Sequence, residues 1–479
     1  MQGVAMYKKN RKLFSTFDEC IERDKGQLTE SVRDLIKIRS VAGEPVEGKP
    51  FGEGPATALR SALDTAGTMG FFTKNLDNYI GFAEYGEGKD YIAVLGHVDT
   101  VPEGEHWTYP PFSGTMHNGR IYGRGALDDK GPVISALYSL KAIQDSGVPL
   151  TRRIRIIFGA DEETGDLDIK HYLSKEKPPV CGFTPDSEFP VVFAEKGILQ
   201  VNLIRNFLPG NLKSGNNVLV SLAGGDAVNM VPDRATAKIR TGNPHEILQK
   251  CKEFAEISGF SLSAKPEGDL VTIISEGVSS HASRPHLGKN AVMQVIGFLS
   301  TLSFGHGESS GIIQLLQERI GMDTSGRLFG LDLADEPSGH LTLNAGMVQY
   351  NGRDFLLSVD IRYPVTKPVE TIIDHIHATV KDHEIIVTVK KHQPPLYYPP
   401  GSDLVRTLAT VYNDVTGDSR GPVSIGGGTY ARRLPNIVAF GPCFPGNANN
   451  IHAADESAGC DELVMIAKIY ARAMYTLAR

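Results

Sequence analysis

The chain has 479 residues, 41% apolar and 22% charged, with a net charge of −7. That length exceeds what one hydrophobic core serves, so two or more domains are expected, and the acidic balance gives no electrostatic reason for nucleic acid or an anionic membrane as partner. Five scattered cysteines without CxxC spacing speak against a disulfide framework or a thiolate zinc site. No eighteen apolar residues run together and none back the basic N-terminus, so a soluble, unexported, cytoplasmic protein is expected.

In chain order, "DKGQLTESVRDLIKI" (24–38) sets Leu28, Val32, Leu35 and Ile36 on one face and predicts an opening amphipathic helix. The apolar runs "YIAVLG" (91–96), "IRIIFGA" (154–160) and "NIVAFGP" (436–442) are separated by helical stretches such as "GPVISALYSLKAIQDSG" (131–147). This is the pattern of an α/β domain, a mostly parallel sheet flanked by helices. Between the second and third runs the character changes. "LAGGDAVNMVPDRATAKIR" (222–240) is echoed by "LNAGMVQYNGRDFLLSVDIR" (343–362), and each precedes a helical pattern. An inserted α+β domain of two related halves is expected over 197–393, with 1–196 and 394–479 forming the first domain. A loop with two histidines, "SSHASRPHLGKN" (279–290), separates the halves.

Acids and histidines gather where the first domain's strands end, the place at which open parallel sheets bind ligands. His97 and Asp99, two apart in an extended chain, point to one side, so the carboxylate can orient the imidazole as it does for a metal-binding histidine. A lone histidine at a strand end is more often structural, but three acidic knots follow: Asp128–Asp129, Asp161–Glu163, and Asp186 with Glu188. Singly these read as helix caps, first-turn acids or turn formers. Converging, they would repel, and a dication is the usual remedy. His452 adds a late imidazole. Two histidines and several carboxylates without thiolate suit Zn²⁺, Mn²⁺ or Co²⁺. The set exceeds one tetrahedral shell and points to two ions about 3.5 Å apart sharing a carboxylate.

Together "GHVDTVP", "GRGALDDKGP", "GADEETG", "PDSEFP", "GGGTYARRLPNIVAFGPCFPG" and "IHAADE" resemble, in order and approximate spacing, the dinuclear zinc aminoacylase and carboxypeptidase superfamily, most of all its PepV-like dipeptidases. The resemblance implies that His97 and Asp186 hold one ion, Glu163 and His452 the other, that Asp128 bridges them, and that a cis peptide joins Asp128 to Asp129. It implies that Asp99 steadies His97 and that Glu162 is the general base for a metal-activated water. In the inserted lid, it implies His281 as oxyanion donor, with Asn229 and Arg362 contacting substrate, and the Gly427 backbone, outside the lid, offers contacts close to the cleft; His286 is a bystander. A plainer role for Arg362 is a strand-surface guanidinium paired with a neighbouring acid. The residue before the acid triplet is Ala160, where relatives often have threonine. The expected activity is hydrolysis of dipeptides with a free N-terminus by a monomer that carries its own lid histidine. Alternatives are an N-acyl amino acid deacylase of acetylornithine or succinyl-diaminopimelate type, or a non-catalytic metal-dependent binding protein.

Overall fold

The computed structural model describes residues 2–207, 217–304, 307–447 and 450–479, and two compact units emerge. The first comprises Met1–Phe193, Tyr398–Val423 and Gly428–Arg479; the second comprises Ala194–Tyr397 and Ser424–Gly427.

The first unit opens on α1 (Gln2–Ile36), which begins well before the 24–38 stretch in which the sequence predicts a helix. The buried stripe extends upstream through Phe14, Phe17 and Ile21 at helical spacing, and Asp24 occupies the next turn of the same face. The Asp24–Lys25–Gly26 stretch reads as a start by propensity, but packing on both sides of it carries the helix through. Then come β1 (Phe72–Leu76), β2 (Ile80–Tyr85), β3 (Tyr91–His97), α2 (Lys130–Asp145), β4 (Arg153–Gly159) and β5 (Cys181–Thr184). The sheet runs β1-β2-β4-β3-β5 and continues to the strand Ile437–Ala439. β4, β3, β5 and Ile437–Ala439 are parallel, and the β1–β2 hairpin adds antiparallel to β4. All seven residues of β3 are buried, as expected of a parallel strand covered on both faces. α1, α2 and the helix Cys460–Ala478 pack on one another.

The second unit is built on β6 (Gly197–Asn206), β7 (Asn217–Gly224), β8 (Arg234–Thr241), α3 (Pro244–Ser258), β9 (Ser261–Glu267), β10 (Leu270–Glu276), α4 (Ala291–Ser300), β11 (Thr342–Tyr350), β12 (Asp354–Tyr363), α5 (Val369–Val380) and β13 (Ile386–Gln393). These eight strands form one antiparallel sheet, β9-β10-β8-β7-β11-β12-β6-β13. The two halves meet where β7 pairs with β11, Leu222 opposite Tyr350. Each half follows the same course, two adjacent strands, a helix, then an edge strand: β7-β8-α3-β9 and β11-β12-α5-β13. The slot beside the edge is filled by β10 in one half and by β6, from earlier in the chain, in the other. The echo in sequence is thus a repeated topology with one permuted strand. α4 is apolar all round and buried from Ala291 to Leu299, and Asn290 caps it by accepting the Met293 N–H at 3.0 Å. Both sheet edges carry blunting residues, Lys265 and Pro266 on β9, Lys390 and Lys391 on β13.

Candidate metal centre

Strand register delivers the first donors. β3 ends on His97, and the offset of 89 residues that pairs Val94 with Phe183 brings Asp186 level with it. On the other side His97 pairs with Gly159, so Glu162 and Glu163 follow just past the same sheet edge. The loop before α2 brings Asp128, whose two oxygens face two imidazoles: Oδ1 lies 3.0 Å from His97 Nε2 and Oδ2 lies 3.0 Å from His452 Nε2. His452 Nε2 is also 3.2 Å from Glu163 Oε1. The five predicted ligands and Glu162 therefore meet at one end of the sheet. Donor atoms of His97, Asp128 and Glu163 lie within 4.8 Å of one another, as do those of His97, Glu162 and Asp186.

A second layer holds these groups in place. His97 Nδ1 is 3.1 Å from the Asp99 carbonyl oxygen and 3.4 Å from its carboxylate, which leaves Nε2 toward Asp128. Asp99 does more than orient His97: its carboxylate oxygens accept the N–H groups of Glu162 at 3.3 Å and Glu163 at 3.1 Å. Asp129, joined to Asp128 by a cis peptide, makes no cap bond to α2 and instead accepts the His97 N–H at 3.2 Å. A Cβ on Gly96 would lie 2.3 Å from that Asp129 carboxylate, so only glycine fits there. Asp161 behaves as a turn former, accepting from Thr164 and the Leu167 N–H.

Three supporting residues went unassigned in sequence. Asp168 is fully buried, accepts the Ala160 N–H at 2.9 Å and takes the hydroxyl of Tyr430, whose ring stands edge-on to His97. Glu456 accepts the N–H groups of Gly125, Leu127 and Asp128. Glu456 stands four residues after His452 inside a quoted motif, a signal that was there to use; Asp168 and Tyr430 carry none, since an acid in a first helical turn and a buried tyrosine are ordinary.

Without cations the charges are poorly matched. Burial pushes Glu162 up to about 8, opposed by His97 and reinforced by Glu163. Burial and the Asp128 charge also raise Glu163 and Asp186. Burial opposes protonation of His452, yet Asp128 and Glu163 push it up to about 10, and His97 is raised in the same way by Asp128 and Asp99. The site thus draws in protons to offset crowded carboxylates, the task a dication performs. The donor set fits such ions: N and O ligands only, with the 3.0–3.2 Å separations around Asp128 close to the edge of about 3.3 Å expected for a tetrahedron with bonds near 2.0 Å.

These shifts set the pH dependence of the ion-free protein. A carboxyl or imidazole whose folded pKa exceeds its unfolded value stabilises the fold at low pH, and that contribution drains away as pH rises through the folded pKa. Glu162, His452 and Asp168 act in this same sense, while Lys130, which burial pushes down to about 7, acts oppositely above that pH, so the ion-free protein is expected to lose thermal stability between about pH 5 and 7. Addition of Zn²⁺ should flatten the trend. Melting curves with and without chelator test this; an ion-free melting temperature that climbs from pH 5 to 7 would contradict it.

The four predicted substrate contacts all belong to the second unit and converge there. An antiparallel bridge joins Met230 to His281, and the Asn229 carbonyl accepts the Ala282 N–H at 2.8 Å. His281 is exposed; its Nδ1 accepts the Ser283 N–H at 3.2 Å, which puts the ring proton on Nε2. Gly426 approaches Ser283 so closely that a Cβ on it would lie 2.8 Å from the serine Cβ, and its carbonyl accepts from Arg362 Nη1 at 3.0 Å. Arg362 is buried, with Nε 2.5 Å and Nη2 3.1 Å from the Asp360 carboxylate. Gly427 follows directly on this loop.

Comparison with known proteins places the chain in a family. The family described as peptidase family M20/M25/M40 matches residues 93–476. A Bacillus subtilis (strain 168) protein named "Putative dipeptidase YtjP" is 40% identical over 95% of this chain and 98% of its own. A Staphylococcus aureus (strain N315) relative, "Putative dipeptidase SA1572", is 31% identical over 96% of this chain and 98% of its own. Among solved structures, human carnosine dipeptidase 1 shares the fold at 15% identity and a TM-score of 0.61, covering 97% of this chain and 99% of that one. Dug1p, a dipeptidase of Saccharomyces cerevisiae, does so at 14% identity and 0.57, covering 96% and 98%. The converging imidazoles and carboxylates thus sit in a chain that belongs to peptidase family M20/M25/M40, a family of peptide-bond hydrolases dependent on divalent metal ions.

Proposed function

We propose that the protein is a dipeptidase of the PepV-like kind, cleaving dipeptides with a free N-terminus. The observation that carries this reading is the Asp128 carboxylate set between His97 and His452, with Glu162 half-buried beside them. The names of the relatives, dipeptidases in each case above, support the substrate class. We assign His97 and Asp186 to one ion, Glu163 and His452 to a second, and Asp128 to both. Two bound dications, Zn²⁺ in preference to Mn²⁺ or Co²⁺, would supply Lewis acidity that lowers the pKa of the hydrolytic water toward neutrality. Glu162 takes the proton from that water and passes it to the leaving amine, a role open to a carboxylate that stays outside the set of ligands. Asp99 holds Glu162 and Glu163 by their backbone N–H groups, so base and ligand keep a fixed spacing. His281, donating from Nε2, is assigned to the developing oxyanion. Asn229, Arg362 and the Gly427 backbone are assigned to substrate recognition, Arg362 to the terminal carboxylate. We assign 1–196 and 394–479 to a catalytic part and 197–393 to a lid, with the short stretch Ser424–Gly427 grouped with the lid's residues. Blunted edges on the second unit's sheet favour a working monomer. Cys20, Cys181, Cys251 and Cys460 are free thiols, in keeping with the cytoplasm.

The test is a panel assay of protein reconstituted with Zn²⁺, Mn²⁺ or Co²⁺. Free dipeptides, β-alanyl and D-residue members included, are set against N-acetyl and N-succinyl amino acids. Turnover of free dipeptides is the expected result; preferential cleavage of the acylated compounds would replace this reading with a deacylase.

A further inference from the structure

Glu456 has no exposed surface, and both carboxylate oxygens are committed. Oε1 accepts the N–H groups of Leu127 at 2.9 Å and Asp128 at 3.1 Å; Oε2 accepts the Gly125 N–H at 3.1 Å and pairs with Arg124 Nη1 at 2.8 Å. The Glu456 carbonyl also accepts the Gly123 N–H at 2.9 Å. The turn from Gly123 to Asp128 is thus wrapped around one side chain. Arg124, itself 2% exposed, extends the connection: its Nη2 donates to the Glu103 carbonyl at 3.1 Å, and its guanidinium lies 5.2 Å from the Trp107 ring. Trp107 closes the group by donating Nε1–H to that same Glu103 carbonyl at 2.7 Å. Three segments that carry or adjoin metal-ligating side chains therefore meet at Glu456: the one after His97 and Asp99, the turn ending in Asp128, and the one beginning at His452.

We propose that Glu456, braced by Arg124, is a positioning residue that presets the Asp128 carboxylate between His97 and His452 and so couples the loading of both ions. The inference rests on the assignment of Asp128 as the shared ligand. The peptide N–H of Asp128 is gripped from behind while its carboxylate points forward, so any shift of Glu456 moves the one group both ions need. An ionised carboxylate suits this task because every partner it meets is a donor. Glutamine in its place would turn an NH₂ toward at least one of those donors and loosen the turn.

The experiment titrates ion-free protein with Zn²⁺, following heat release and the fluorescence of Trp107, the chain's one tryptophan. The wild type is expected to bind two Zn²⁺ per chain with a change in emission, because Trp107 abuts Arg124. Glu456→Gln is expected to weaken Zn²⁺ binding by about 10- to 100-fold at both sites, the usual effect of removing a group that orients a ligand. A purely structural role would lower the melting temperature of the ion-free protein and leave the affinity of the folded protein unchanged; wild-type affinity in Glu456→Gln therefore overturns the proposal. Should that variant not fold, Arg124→Lys carries the same test, because a single-point ammonium cannot hold both Glu456 and the Glu103 carbonyl. A loss of about tenfold supports the proposal, and unchanged binding overturns it. Failure of the wild type itself to bind Zn²⁺, Mn²⁺ or Co²⁺ would instead sink the metal assignment beneath it.

Discussion

Glu162→Gln is expected to lower kcat by about 10²- to 10⁴-fold while the protein still binds two dications. The substitution keeps size and shape but removes the ability to take a proton. Glu162 is the group to change because it stands beside His97 and Asp186 and is not among the five residues assigned as ligands. Geometry admits a rival role, since Glu162 presents an oxygen within 4.8 Å of donor atoms on His97 and Asp186 and could itself ligate. Ion counting separates the two. A variant with two ions and little turnover marks a base; a variant that retains one ion marks a ligand, and the assignment of Asp186 and Glu162 would then have to be exchanged or shared.

The second large effect is expected at Asp128. Its Oδ1 and Oδ2 each lie 3.0 Å from a different imidazole, and burial alone would favour the neutral acid. Hydrogen bonds from His452 and His97 outweigh that burial and keep the carboxyl well below its ordinary range, so it is available as an anion to both ions. Asp128→Ala is expected to abolish turnover and reduce bound metal from two ions per chain to one or none. Each ion bound at 100 times its Kd stabilises the folded state by about 2.7 kcal/mol, so the rise in melting temperature on adding Zn²⁺ should shrink accordingly. Melting curves with elemental analysis provide the check; a variant that keeps both ions and the full rise would show that Asp128 is not shared. The ion-free variant should also have a less basic His452, because one of the two carboxylates that raise it is gone.

Local pattern was enough for much of this. Apolar runs ending in His97 and Gly159 announce buried parallel strands, and the acids just beyond them announce a site, because chain direction alone puts strand ends on one edge of a parallel sheet. The repeat in the second unit was visible for the same reason, as strand, turn, strand and helix patterns are written in neighbouring residues. Its permuted strand was not, because β6 joins the second half from an earlier part of the chain. The opening helix was read too short because a local break signal at Asp24–Gly26 is overruled by packing that propensity does not register.

The sequence by itself singled out the candidate groups that the fold brings together: His97, Asp128, Glu162, Glu163, Asp186 and His452, each conspicuous as a charged or imidazole group beside an apolar run or a glycine-rich turn. Tertiary structure alone decided how those groups are aimed. Asp99 reaches the amides of Glu162 and Glu163 across about 63 residues, Tyr430 reaches Asp168 across 262, and Glu456 reaches the Asp128 amide across 328. A buried carboxylate must find donors wherever the fold supplies them, and over such separations only the packed chain says which ones it finds.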